Sequence, residues 1–494
     1  MRDPIRNSLR TPPAVRLLTL AAASAVLAAC AGAPTYHAPS AEPALPAQFS
    51  AAGTPAAAAG GNPAARDLAH FWHGFGDATL DELVQTALAA NSDLKVAEAR
   101  LREARSSFDL AKVDNLPSLG VNSDVTKQIE PSYLLPGVSR SQRTYTGIDL
   151  SFVANWELDL FGRVSSARAA ASALQQAGEA TVQSAQISVV AEVARNYLLL
   201  RGTQERLEVT RHALENQQAS LAIAQARYDA GRATDLDLQR ALELVATTEA
   251  ALPALTTVVD QTILRLATLS GISPPALLER LRTPAPLPGL PATDLAALPI
   301  DTPTQWLARR PDLIAAERQL AASNADIGVS RAELYPHITL SGLIGLSSGT
   351  LDTLGRSDSQ RYSIGPSLSW NALDFGRVRT RVAGSEARAQ EALETWQGAV
   401  RLALEETEGA FSAFSNGNQR SGQLAQAAQH AEAAAGLARK RYEAGVTDFL
   451  AVLDAERDAL STRDQLTQAR TDTATALVAV YRTLGGGWEA PASN

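Results

Sequence analysis

Two motifs recur in this chain at one fixed distance, and they hold the same spacing in both copies. Trp156 with Phe161-Gly162-Arg163-Val164 returns as Trp370 with Phe375-Gly376-Arg377-Val378. Arg227-Tyr228-Asp229-Ala230-Gly231 returns as Arg441-Tyr442-Glu443-Ala444-Gly445. Both offsets are 214 (370 − 156 and 442 − 228). Keeping that spacing through a duplication requires a rigid segment between the motifs, whose length matters. A duplicated rigid hairpin constrains the chain to an architectural role more than to an enzyme active site.

The segment is helical in character. No proline occurs from Phe161 to Ala230, and a helix of that extent is about 100 Å long. No single globular core needs such a length; a wall, a coiled coil or a tunnel does. A return arm is expected from about Asp235 to Leu269, with Pro253 as a kink. The second hairpin is expected over Asp374–Ala444 and Asp448–Leu484, its first arm weakened at Asn416-Gly417-Asn418. Runs of small residues such as Ala169, Ala170, Ala171 and Ala173 suit close helix packing. Gly231 and Gly445 follow Arg-Tyr-Asp/Glu-Ala and fit the position that reverses a helix.

Upstream of each hairpin lie two alternating stretches. Thr146, Ile148, Leu150, Phe152, Ala154 and Trp156 share one face, and Gly147, Asp149, Ser151, Val153, Asn155 and Glu157 the other. Tyr362, Ile364, Pro366, Leu368 and Trp370 oppose Arg361, Ser363, Gly365, Ser367 and Ser369. Their partners are Leu119, Val121 and Val125 in the first copy, and Ile338, Leu340 and Ile344 in the second. Period-2 patterning with one polar face suits a barrel with lipid outside and water inside, or a small soluble sandwich. Four strands cannot close a membrane barrel, whose minimum is about eight. If they span a membrane the chain must oligomerise, and three copies supply twelve. Asp77 is read as the N-cap of a helix to about Ala90. Further helices run from Ser92 to about Asn115 and from Pro311 to about Tyr335.

The first 65 residues read differently. Arg2, Arg6, Arg10 and Arg16 precede a mostly apolar run, Leu17–Ala29, that is too short to span a bilayer. It ends in Leu27-Ala28-Ala29-Cys30, which resembles a bacterial lipobox, and Cys30 is the only cysteine among 494 residues. Residues 1–29 are therefore read as a signal peptide and Cys30 as carrying N-acyl and S-diacylglycerol (palmitate-type) lipid. Residues 30–65, rich in Ala, Pro and Gly, read as an extended tether without a core. The first structural repeat occupies 66–300, the second 301–488, and 489–494 form a short tail. No later stretch has 18 uninterrupted apolar residues. A net charge of −8 with no basic stripe argues against nucleic acid. His70 and His73 make a lone His-x-x-His without a zinc-type Glu helix, so no metal or other cofactor is expected. No phosphate loop or nucleophile elbow appears.

The lipidated start, the two strand–strand–hairpin repeats and Leu484-Gly485-Gly486-Gly487-Trp488 together resemble TolC-like outer-membrane factors of the NodT-type lipoprotein branch. Trp72, Phe75-Gly76-Asp77, Leu80, Asn91, Asp93-Leu94, Ala99-Arg100-Leu101, Pro117 and Arg309-Arg310-Pro311-Asp312 add to the match, which covers roughly residues 66–488. The resemblance implies a homotrimer with a twelve-stranded β-barrel in the outer membrane and a twelve-helix α-barrel in the periplasm of a Gram-negative cell. It implies passive conduction of drugs, metals or other small molecules, with a periplasmic adaptor and a resistance-nodulation-division inner-membrane pump as partners. Gly231 and Gly445 would then mark the periplasmic tips, where the adaptor reaches. In relatives an apolar ring and an acidic ring close the aperture at the motif Asp448–Arg457, which assigns the gate to Leu450 and Asp454. Arg457 and Tyr442 are implied latch partners. The first copy carries Leu236 opposite Leu450 but Arg240 opposite Asp454, so the hairpins should not contribute identical rings. A type I secretion conduit and a structural coiled-coil lipoprotein are the alternatives.

Overall fold

The computed structural model describes residues 36–39, 45–46, 48–50, 67–300, 302–371 and 373–488. The predicted signal peptide, Cys30, most of the tether and the tail lie outside them. Among the described residues the chain forms two compact units, and each draws on both sequence halves. One combines Met1–Pro39, Arg102–Ala177 and Ala316–Trp396; the other combines Ser40–Leu101, Gly178–Ala315 and Gln397–Asn494.

The first unit carries the sheet. Strands β1 (Ser118–Ile129), β2 (Thr144–Leu158), β3 (His337–Ser348) and β4 (Gln360–Ser369) form an antiparallel meander in the order β1-β2-β3-β4. The two copies thus meet at β2 and β3. The register brings the apolar residues into rows across all four strands: Val121 faces Phe152, Phe152 faces Ile344, and Ile344 faces Tyr362. These four are 61, 60, 65 and 84% exposed, so a row of large apolar side chains looks outward. The opposite row is Asn122, Ser151, Gly345 and Arg361, and Arg361 Nη1 lies 3.1 Å from Asp149 Oδ1. At Gly345 a Cβ would sit 2.4 Å from the Leu150 carbonyl oxygen, which admits only glycine. The outer edges of β1 and β4 have no strand partner within the sheet.

Both tryptophans of the repeated motif stand at the foot of the sheet and do the same thing there. Trp156 Nε1 donates to the Asn115 carbonyl and Trp370 Nε1 to the Leu334 carbonyl, each at 3.1 Å. Each indole pins a strand to the end of the helix that leads into its strand pair. Phe161 stacks on Tyr335 beside them, with ring centroids 4.8 Å apart.

The rest of the chain is helical, and the longer helices have residues in both units. Helix α1 (Ala78–Ala90) is capped by Asp77, whose carboxylate accepts from Thr79 N and Leu80 N, and it buries Leu80, Leu83, Val84 and Ala87 along one stripe. Helix α2 spans Ser92–Val113, and α3 runs unbroken from Arg163 to Asp229. Helix α4 (Asp235–Ser270) starts in a Thr234/Asp237 capping box and continues through Pro253. By length and composition α4 is apolar enough to cross a membrane, although charged and polar residues interrupt its apolar runs. Leu242, Val258 and Leu264 are exposed on it. Two short helices, α5 (Pro274–Leu281) and α6 (Pro303–Arg309), precede α7 (Pro311–Ala332). On α6, Trp306 is buried and donates its indole N–H to the Thr483 carbonyl. Helices α8 (Phe375–Glu443) and α9 (Phe449–Thr483) form the second hairpin.

Helix α8 does not weaken at Asn416-Gly417-Asn418, as the composition suggested. A Cβ at Gly417 would lie 3.0 Å from Thr473 Oγ1 on α9, and one at Gly202 on α3 only 1.9 Å from Thr471 Oγ1. These glycines permit close helix contact, and the contact offsets their poor intrinsic propensity.

The tether also departs from expectation. Within the first unit the Tyr36 hydroxyl donates to Glu317 Oε1 at 2.5 Å, and Tyr36 packs on the Ala173, Ala321 and Ala322 cluster. Burial and the Glu317 carboxylate both push its hydroxyl pKa upward. Within the second unit Phe49 is buried edge-on against Trp306 and Phe411, at 5.7 and 5.3 Å between centroids. Tyr36 and Phe49 are the aromatic residues of an otherwise Ala/Pro/Gly-rich stretch, and each finds an apolar seat.

Candidate functional site

The two hairpin tips are built alike. Gly231 and Gly445 have φ of 69° and 73°, the left-handed region. Arg232 N donates to the Arg227 carbonyl and Gly231 N to the Tyr228 carbonyl, both at 2.8 Å. In the second hairpin Val446 N donates to Arg441 O and Gly445 N to Tyr442 O, both at 2.9 Å. Each tip is therefore a Schellman turn. The next helix starts three residues after the glycine, at Thr234 or at Asp448, whose carboxylate accepts from Ala451 N.

The first turns of α9 divide cleanly into two stripes. Phe449, Val452, Leu453 and Glu456, spaced i, i+3, i+4 and i+7, are buried. Leu450, Asp454 and Arg457 occupy the opposite stripe and are exposed, Leu450 by 41%. The helical period thus places the three sequence-assigned gate residues on one exposed face. Neither Asp454 nor Arg457 forms an ion pair with any described residue. Tyr442 is elsewhere: only 4% exposed, it belongs to a core cluster with Ala224, Ala241, Phe449, Val452 and Leu453. Its ring packs on Phe449 with centroids 5.1 Å apart, and the Arg227 guanidinium lies over the Tyr442 ring, 4.3 Å from its centroid. Its hydroxyl has no hydrogen-bond partner among the described residues.

Behind the exposed stripe sits an ionic group that the sequence reading passed over. Glu456, 6% exposed, accepts at Oε1 from Ser220 Oγ (2.6 Å) and from Arg439 Nη2 (2.7 Å). Arg439 also donates to Asn216 Oδ1 at 3.3 Å. One carboxylate therefore ties α9 to α8 and to α3, joining both hairpins. The signal was available: Glu456 falls at i+7 from Phe449 on the apolar stripe, where a charge demands a buried partner. A groove of about 410 Å³ opens alongside, lined by α3, α8 and α9 residues including His212, Gln217 and Arg463.

Elsewhere in this unit, His73 Nδ1 pairs with Asp81 at 2.8 Å and His70 Nδ1 with Asp67 at 3.3 Å. The two imidazoles engage separate carboxylates.

A sheet with apolar residues outward, long capped hairpins and an apolar-acidic stripe just past a tip define a class: membrane channels whose strands sit in lipid and whose helices extend the conduit. The chain belongs to the outer membrane efflux protein family, whose model matches residues 83–272 and 302–486. It is 34% identical over 463 residues to the outer membrane protein OprJ of Pseudomonas aeruginosa, with 94% of each chain covered. It is 31% identical over 416 residues to the toluene efflux pump outer membrane protein TtgI of Pseudomonas putida, covering 84% of this chain and 86% of that one. The solved structure of the outer-membrane channel OprN matches with a TM-score of 0.85 at 38% identity, over 93% of this chain and 100% of that one. The fold is TolC-like, and the protein is an outer-membrane efflux channel component.

Proposed function

We propose that three copies assemble into a passive conduit for small molecules, delivered by an inner-membrane pump through a periplasmic adaptor. The sheet carries this reading: one face is a band of exposed apolar residues, and both outer edges lack strand partners. In lipid an unpaired edge leaves backbone groups unsatisfied, so the sheet must close with other copies. Three copies give twelve strands. The exposed apolar side of α4 supports the same assembly, since it too needs cover. The helices then form a twelve-helix α-barrel in the periplasm, with the Schellman tips at Gly231 and Gly445 facing the adaptor. Cys30 carries the lipid that anchors the chain to the outer membrane.

Leu450 and Asp454 form the aperture. Three copies of Leu450 make an apolar constriction that opposes wetting, and three of Asp454 add an acidic ring. Arg457, on the same exposed stripe, is the latch cation for Asp454 of a neighbouring copy. Tyr442 supports the tip from below. The drug, metal or solvent class exported follows from the pump.

The test has two stages. Light scattering corrected for bound detergent should give a trimer; a monodisperse monomer would sink the barrel argument. Reconstituted trimers of the double variant Leu450→Ala, Asp454→Ala should show higher single-channel conductance and weaker cation preference than the parent. Unchanged values in correctly inserted trimers would place the constriction elsewhere.

A further inference from the structure

We infer that β4 of one copy pairs antiparallel with β1 of the next in one fixed register, with Ser369 opposite Asn122 and Arg361 opposite Glu130 of the next copy. The inference rests on the threefold assembly and says how its sheets join. Both edge strands are ready for a partner: β1 is exposed along its whole length and β4 at all but one position.

The register follows from the duplication. Ser118 faces Asn155 in β1–β2, and His337 faces Ser369 in β3–β4. These pairs are related by 337 − 118 = 219 and 369 − 155 = 214. The indole bonds obey the same two offsets, since Trp156 to Asn115 becomes Trp370 to Leu334. The strand pairs β1–β2 and β3–β4 are therefore one unit used twice, in identical register. The joint between the units, β2–β3, occurs once within the chain. A ring of like units closes evenly only if the joint between copies repeats the joint within them.

Carrying that joint forward by the same offsets gives the seam. Trp156 faces Leu340 within the chain, so Trp370 faces Val121 of the next copy. The apolar faces of the two strands stay on one side, whereas a slip of one residue would turn one of them inward. Asn155 faces Ser341, whose Oγ donates to Asn155 Oδ1 at 2.9 Å. The seam brings the same two residue types together with the strands exchanged, Ser369 against Asn122. At the far end, Ile148–Ser348 carries forward to Tyr362–Ile129, and the next position sets Arg361 against Glu130.

That last pair is an independent check, because charge played no part in deriving it. Arg361 is the one charged residue of β4. A slip of two residues, the smallest that keeps the faces, would set it against Gln128 or Ser132 instead. Glu130 continues the β1 ladder, its N–H donating to the Arg143 carbonyl at 2.9 Å. Arg361 already lies 3.1 Å from Asp149 of its own chain. A guanidinium has five N–H donors and can hold both carboxylates. Repeated three times, the seam makes a belt of alternating charge on the polar side of the barrel.

Cysteine pairs read the register in outer-membrane trimers of the full chain. Ser369→Cys with Asn122→Cys, and separately Arg361→Cys with Glu130→Cys, should each oxidise under copper phenanthroline to a covalent trimer ladder on denaturing gels. Slipped pairs, Ser369→Cys with Gly120→Cys or with Asp124→Cys, hold their Cβ atoms about 7 Å apart instead of about 5 Å. That exceeds disulfide reach, so they should link about tenfold more slowly. Single variants set the background from Cys30. Faster linking by a slipped pair overturns the inference, as does failure of either matched pair in trimers verified by light scattering. A monodisperse monomer defeats the assembly reading instead.

Discussion

The two hairpin tips share a backbone and differ in what stands behind it. Both end in Arg-Tyr-acid-Ala-Gly, both close as Schellman turns, and both restart at a capped helix. Yet Tyr228 is exposed where Tyr442 is buried, Asp235 stands where Phe449 fills the core, and Leu242 is exposed where Glu456 is buried and ion-paired. The first tip even serves the second, since Arg227 covers the Tyr442 ring. Turn chemistry is local and survives duplication unchanged. Packing is not local, and it leaves Tyr228 exposed in one copy while burying Tyr442 in the other. The second copy carries the exposed Leu450–Asp454 stripe, which needs a fixed base if it is to define an opening.

Glu456→Ala should break the comparison most deeply. It strands Arg439 without its carboxylate and should cost about 3 kcal/mol, because one partner of a largely buried pair is removed. A lowered thermal midpoint of the detergent-solubilised protein reads this, and Leu242→Ala at the matching position of the first hairpin should lower it less. Equal losses would mean that the ionic tie is not what seats the second tip. Next comes Tyr442→Ala, expected to cost about 3 kcal/mol as a buried aromatic, against under about 1 kcal/mol for exposed Tyr228→Ala.

Gly445→Ala and Gly231→Ala test what the tips have in common. Both force a Cβ into the left-handed region and should cost about 1 kcal/mol each. Neither site is crowded enough to add more, the nearest atom to a Cβ at Gly445 being Arg227 Nη2 at 3.5 Å. A much larger loss at one tip would show that the turns are not equivalent. The smallest effect belongs to Tyr442→Phe. Its hydroxyl has no hydrogen-bond partner among the described residues, so removal should lower stability by less than about 0.5 kcal/mol or raise it. A clear loss there would reveal a hydroxyl contact made only in the assembled trimer.

Much of this fold was legible because its signals are periodic. The 214-residue offset located both hairpins, period-2 alternation located the strands and the row Val121, Phe152, Ile344 and Tyr362, and the glycines located both turns. Asp77 was readable as a cap because a carboxylate before an apolar stripe has few other uses. What escaped depends on contacts between residues distant in sequence. Gly417 looked like a weak point because its compensation, Thr473, lies in another helix. Tyr36 and Phe49 looked like tether because their seats belong to α7 and to Trp306 and Phe411. Glu456 drew no reading of its own, although its place on the apolar stripe of α9 points inward. The resemblance implies Tyr442 as a latch partner, whereas packing seats its side chain in the core with Phe449, Val452 and Leu453.

The glycine–threonine contacts have a mechanical consequence. Helix α8 runs without a joint from Gly417, seated against Thr473, to Glu443 at the tip. That is 443 − 417 = 26 residues, an arm of about 39 Å. A stiff arm loses no motion along its length, so a tilt of about 5° at this fulcrum carries the tip about 3 Å sideways. That is the scale of a side chain. A small rocking at the Gly417–Thr473 seat is therefore amplified into a displacement of a side chain's width at the tip.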